Sequence, residues 1–169
     1  MADTKQYCTF YIGRQYFGLD VLKVQEVVRH QPLTRVPLAP PTVRGLINLR
    51  GQIVTAIDAH RRLELPRDGE LGEAVNVVVQ GEDGAYSLQV DEIGDVLEVP
   101  LEQFEPPPVT LPLKRLDLIL GVYKLDNRLL IILDPTRIVE PPESFTPTGI
   151  GAGPSGANPP AIPAGTARR

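Results

Sequence analysis

Chemistry in this chain of 169 residues would have to come from few groups. It holds two histidines, His30 and His60, and one cysteine, Cys8. A catalytic centre brings a nucleophile, a base and stabilising donors to one place. Asp58 and His60 could serve a small hydrolase as acid and base, but no nucleophile can be named beside them. Both histidines read as solvated or turn residues, His30 after an apolar strand-like segment and His60 beside Arg61 and Arg62. Asp20, Asp91 and Asp134 read as strand-end or turn residues rather than paired carboxylates. No set of His and Cys has metal-ligand spacing. Neither GxxxxGK[ST] nor GxGxxG after a strand occurs, and GIGAG at 149–153 has no helix following it. The expectation is a protein that is not an enzyme, with no cofactor and no metal.

Charge narrows the partners. Seventeen basic against 21 acidic residues leave a net charge of -4, which argues against a broad grip on phosphate backbones. A small barrel binding nucleic acid is the alternative from another class. It would need a positive groove and stacking aromatics. Aromatics are 5% of the residues, and the basic signals are two short pairs, Arg61-Arg62 and Lys114-Arg115. No nucleic-acid partner is expected. MADTKQYC is polar where a secretory leader would be apolar. LLIIL at 129–133 is too short to span a bilayer, so a cytoplasmic location is the default. Cys8 has no internal disulfide partner and reads as a buried strand thiol.

One cation stands out. In GLINLRGQIVTAID, residues 45–58, Arg50 interrupts an apolar run beside a glycine. It could lock two strands by pairing with a carboxylate, offer its guanidinium fork to a partner, or lie free in water. Glu26, in LKVQEVV, is the candidate carboxylate.

The elements around it read as short strands. YCTFYI and YFGLDV form a first hairpin, and LKVQEVVRH a further strand after a short turn. QPLTRVPLAPPTVRG is a proline-punctuated crossing with room for a short helix around PPTVRGL. Arg50-Gly51 joins the two strands of the next hairpin, and HRRLEL continues as a turn and short strand. PRDGELGE is a charged loop. AVNVVVQ, a GEDG turn and AYSLQV make another hairpin, and DEIGDVLEV a further strand. After a second crossing, EPPPVTLPLKRLD, a hairpin turns at DNR between LILGVYKL and LLIILD. PTRIVEP holds a final turn or short helix. Residues 141–169 are Pro/Gly/Ala-rich and read as a disordered tail.

The pattern occurs twice. YFGLDVLKVQEVV matches AYSLQVDEIGDVLEV at a shift of 69, setting Glu26 against Asp95. GLINLRGQIVTAID matches GVYKLDNRLLIILD at a shift of 76, setting Gly45 against Gly121, Asp58 against Asp134 and Arg50 against Asp126. Two similar all-β subdomains follow, with pseudo-repeats at 15–58 and 84–134, each too short to be stable alone.

LKVQEVV, TRVPLAPPTVRGLINLRGQIV and VDEIGDVLEV together resemble the CheW family of bacterial chemotaxis coupling proteins, over residues 5–140. The resemblance implies one all-β domain of two intertwined five-stranded SH3-like β-barrel subdomains with short helical segments. It implies a non-catalytic adaptor that couples the cytoplasmic tips of methyl-accepting chemoreceptors to the regulatory domain of the histidine kinase CheA, in cytoplasmic receptor arrays, touching the membrane only through receptors. By motif position it pairs Glu26 with Arg50 in a salt bridge. It places Gly45 and Asn48 with them at the receptor surface, and assigns the kinase-binding edge to Ile47, Leu49, Ile53 and Val54. TAIDAHRR departs from the family's usual ending here, which weakens any carry-over to residues 59–62.

Overall fold

The computed structural model describes residues 3–67 and 73–140; the tail expected at 141–169 and the middle of the charged loop lie outside them. Strands β1 (Thr4–Ile12) and β2 (Gln15–Asp20) form the first hairpin, with Gly13 at φ 63 in its two-residue turn. The Asp20 side chain then accepts the Leu22 N–H at 2.9 Å and starts a single 3-10 turn, Val21–Lys23, that leads into β3 (Val24–Val28). The crossing ends in β4 (Val43–Leu49), which turns back as β5 (Gln52–Asp58). β6 (Val75–Gly81) and β7 (Gly84–Val90) form a hairpin, β8 (Glu92–Pro100) follows, and β9 (Ile119–Lys124) pairs with β10 (Leu129–Leu133).

These strands build two five-stranded sheets, ordered β8-β1-β2-β10-β9 and β3-β6-β7-β5-β4. The pairs β2/β10 and β5/β7 are parallel and the others antiparallel. The fold is all-β, two intertwined SH3-like barrels. The intertwining lies in two strands. β3 leaves β2 and pairs with β6, while β8 leaves β7 and pairs with β1. Each sheet therefore mixes strands from both halves of the chain.

Two local expectations are corrected. PPTVRGL is not helical: a turn closed by the Val43 N–H on the Pro40 carbonyl (2.9 Å) runs straight into β4. HRRLEL is not a strand. Ala59–Leu63 form a helical turn, α1, because Asp58 caps it by accepting the Arg61 N–H (3.3 Å), while Ala59 and Leu63, four apart, share its buried face. Glu64, left-handed at φ 56, ends it. PTRIVEP holds the expected turn, with Asp134 accepting the Thr136 and Arg137 N–H groups at 3.0 and 3.1 Å.

The central strands β2, β5, β6, β7 and β10 are buried on both faces, and alternation sends the two faces to different cores. On β10, Ile131 and Leu133 enter the large core between the sheets, whereas Leu130 and Ile132 line the first barrel with Tyr7, Tyr16 and Tyr123. On β6 and β5, Val77, Val79 and Ile57 face the shared core, and Val78, Val54 and Ala56 fill the second barrel. Each fully buried large side chain stabilises by about 1.5–3 kcal/mol, so neither barrel can give up its neighbour cheaply. Cys8 is a buried strand thiol whose titration is pushed up by that burial, as expected.

Each barrel is closed by a crossing segment. Thr34 bridges to Leu46, and Glu105 bridges to Val122. A Cβ on Gly45 would lie 2.5 Å from the Thr34 carbonyl oxygen, and one on Gly121 would lie 2.5 Å from that of Glu105. The two glycines let a crossing chain lie directly on a strand. Gly51 differs: its φ is 88, but a Cβ there would meet nothing within 4 Å. Gly45→Ala, at φ 154 and under a backbone oxygen, is expected to cost about 2–4 kcal/mol in urea unfolding. Gly51→Ala, strained by φ alone, is expected to cost about 1–2 kcal/mol; equal losses would show that the crossing contact is not what fixes Gly45.

Candidate protein-interaction site

β3 and β4 are the two outer strands of the second sheet. The β4–β5 hairpin closes on the pair Leu49 and Gln52, leaving Arg50-Gly51 as a two-residue loop. Both loop residues have positive φ, 51 and 88, the signature of a type I′ turn. Asn or Gly suits the first position, and an arginine there is strained. Asn48 supports the turn by accepting the Gly51 N–H at 2.8 Å. From this strained position the Arg50 Nη2 donates to the Glu26 Oε2, so a residue of one outer strand is tied to the hairpin that ends the other.

The pair lies at the surface. The Arg50 side chain is 71% exposed and that of Glu26 29%. The hydrogen bond from Arg50 holds the Glu26 carboxyl below the usual glutamate range, and Glu26 in turn raises the guanidinium. In water such a pair is screened by salt, so it shapes a surface more than it holds a fold. The guanidinium donates through one nitrogen to Glu26 and keeps further donors for a partner.

The remaining candidate residues separate into builders and presenters. Gly45 is buried beneath the crossing and makes room for it. Asn48 is exposed and sets the turn. The four residues assigned to the kinase-binding edge differ in burial. Ile47, Leu49 and Val54 are buried in the second barrel with Ala56, Val78 and Ala85, because their strand positions alternate inward. Ile53, 38% exposed, alone of the four presents its side chain to solvent.

His60 also departs from expectation. It is 3% exposed, not solvated, with Nε2 2.7 Å from Asp91 Oδ2 and Nδ1 3.2 Å from the Pro66 carbonyl. His30 is exposed, as expected. The Asp58 side chain, placed to cap a helical turn, is the local signal for α1 and hence for the position of His60. A further polar group lay unseen in the second barrel. Asn76 Oδ1 accepts from Ser87 Oγ (2.7 Å) and Gln89 Nε2 (2.9 Å), and its Nδ2 donates to the Arg29 carbonyl (3.1 Å). Among the described residues no group of three or more His, Cys, Asp or Glu is placed to hold a metal, and no helix is long and apolar enough to cross a membrane.

Paired SH3-like barrels with a guanidinium presented on a strained hairpin define a protein-binding scaffold. Comparison narrows the class. Residues 6–143 match the CheW-like domain. The chain is 31% identical to the chemotaxis protein CheW of Treponema pallidum over 76% of this chain and 78% of that one. It is 30% identical to the CheW of Klebsiella aerogenes over 82% and 84%. The crystal structure of the scaffolding protein TtCheW from Thermoanaerobacter tengcongensis superposes with a TM-score of 0.73 at 28% identity, covering 83% of this chain and 94% of that one. The chain belongs to the CheW family, and its role is that of a chemotaxis adaptor.

Because Arg50 depresses the Glu26 titration, the pair's contribution is full above the ordinary glutamate range and is lost as pH falls through the depressed value. Carboxyl-detected NMR should find Glu26 titrating below the other exposed glutamates, and Arg50→Ala should return it to their range with the urea midpoint nearly unchanged. A Glu26 curve unaffected by that substitution would refute the pairing in solution.

Proposed function

We propose that the chain couples chemoreceptors to the histidine kinase CheA by binding the receptors' cytoplasmic tips on one surface and the kinase's regulatory domain on another, within cytoplasmic receptor arrays. It would reach the membrane only through the receptors. Family membership supports the adaptor role, and the Arg50 hairpin is the observation that carries the receptor surface. A non-glycine residue held at φ 51 and 71% exposed costs stability that Glu26 alone, a surface partner, offsets little. That expense is understandable if the guanidinium serves a contact outside the chain. Glu26 aims it, while Asn48 and Gly45 build the hairpin beneath it. The kinase edge then reduces to Ile53 and the backbone of β4, with Ile47, Leu49 and Val54 holding that strand from within.

We further read the domain, residues 5–140, as a duplication with pseudo-repeats at 15–58 and 84–134. Gly45 and Gly121, which the two copies set in register, each lie under a crossing carbonyl. The copies differ in chemistry. Asp95 and Asp126 stand where the other copy has Glu26 and Arg50, so a cation at this place belongs to one barrel only.

Receptor-dependent kinase assays in reconstituted arrays test the proposal. Arg50→Glu and Glu26→Ala are each expected to lower receptor control at least about tenfold, with circular dichroism and kinase binding unchanged. The double exchange Glu26→Arg with Arg50→Glu restores an internal pair and should still fail to couple. Normal receptor control in that double variant would reduce the pair to a structural clasp. Ile53→Asp is expected to weaken kinase binding while receptor binding persists; undiminished kinase affinity would remove Ile53 from that surface.

A further inference from the structure

His60 sits at the seam of the two barrels. Its helix α1 follows β5 of the second sheet, and Asp91 is the joint where the chain passes from β7 in the second sheet to β8 in the first. The Asp91 Oδ2 also accepts the N–H of Gly13, in the β1–β2 turn of the first sheet, at 2.6 Å. The third neighbour is the loop after α1. Its Leu65 N–H donates to the His60 carbonyl (2.8 Å), and its Pro66 carbonyl faces the His60 Nδ1 at 3.2 Å.

Donor counting makes this junction sensitive to protons. A peptide carbonyl is an acceptor only, and an Asp91 oxygen already receiving the Gly13 N–H is an acceptor too. Both ring nitrogens therefore face acceptors. A neutral imidazole has one N–H and can serve only one of them. The contact to Asp91, at 2.7 Å, is shorter and charge-assisted, and takes precedence. The ring is buried, although Pro66 itself is exposed, so Nδ1 has the Pro66 carbonyl as its neighbour on that side.

The other charged groups around the ring have partners of their own. On α1, Arg61 reaches toward Asp58 (4.0 Å), and Arg62 donates to the carbonyls of Ile138 and Arg137 at 3.1 and 2.6 Å. Arg67, following Pro66, contacts both Asp58 oxygens at 2.8 and 3.0 Å. Arg14, following Gly13, also has an interaction of its own. Of these neighbours, Asp91 is the charged group that meets the ring directly.

We propose that His60 is a proton-operated latch at the barrel seam. The neutral ring donates from Nε2 to Asp91 and makes no donation to the Pro66 carbonyl. A second proton, taken up from solvent on Nδ1, adds the bond to Pro66 and ties down the loop that carries Arg67 across Asp58. The latch closes as pH falls and opens as it rises. Acidification thus tightens one end of the second barrel, opposite in sign to its loosening effect on the Glu26–Arg50 pair.

NMR on the full chain tests this. Ring nitrogen shifts of His60 should show Nε2 protonated throughout and Nδ1 gaining its proton as pH is lowered. The Pro66 carbonyl carbon, read through the Arg67 amide, should move downfield with the same midpoint. In His60→Gln, whose amide can still donate to Asp91 but takes up no proton, that carbon should hold still. A neutral ring carrying its proton on Nδ1 overturns the proposal, as does a Pro66 shift that persists in His60→Gln. Should that variant fail to fold, the wild-type ring nitrogens decide alone.

Discussion

The structure rests on strands that must be buried on both faces. A half-buried strand asks for one core; β2, β5, β6, β7 and β10 each ask for two. The molecule meets this demand by curling each sheet around its own small core and pressing the two sheets together over a larger one. The exchange of β3 and β8 between sheets follows the same logic, since each then pairs on the sheet opposite its preceding hairpin. Once both faces of the central strands are consumed, little is left to present except outer strands, turns and crossing segments. The Arg50 hairpin is such a place.

That hairpin shows how a scaffold repeated in outline can carry unlike surfaces. Gly45 and Gly121 perform one mechanical task, letting a crossing chain lie close, each with a crossing carbonyl oxygen 2.5 Å from where a Cβ would be. The loop residues beyond them have no such duty. Arg50 joins Glu26 across the outer strands of the second sheet, while Asp126 and Asp95 have no cation of that kind between them in the sequence pattern. Inside the second barrel, Asn76, Ser87 and Gln89 tie β6 and β7 to the end of β3 at Arg29. Through the Arg29 carbonyl this buried network anchors the end of β3 to β6.

Much of this was legible beforehand, and the failures share one cause. Short apolar, β-branched runs bounded by glycine, proline and aspartate marked the strands, and Arg50-Gly51 was a readable turn. Glu26 was nameable as the candidate partner of Arg50 from its place in LKVQEVV; spacing alone left three roles for Arg50 open, and the motif resemblance singled out the pairing. The resemblance placed Ile47, Leu49 and Val54 on a binding edge, and their burial was not legible because alternation says that neighbours face opposite ways, but not which way leads out when both sides are apolar. α1 was missed because five residues contain too little periodicity to compete with the strand before them. His60 looked solvated beside two arginines. Its partners Asp91 and Pro66 are brought to it by chain reversals that no local pattern encodes.

The sequence by itself determined the all-β class, the hairpins and their turns, the doubled pattern and the family motif, because these depend on side-chain alternation and backbone freedom within a few residues. Only the tertiary structure decided which face of each strand entered which core, that β3 and β8 trade sheets, and that His60 is buried at their seam. Those outcomes depend on contacts between residues far apart in the chain. They are selected by the burial of whole apolar faces against one another, a quantity that belongs to the assembled barrels and to no single segment.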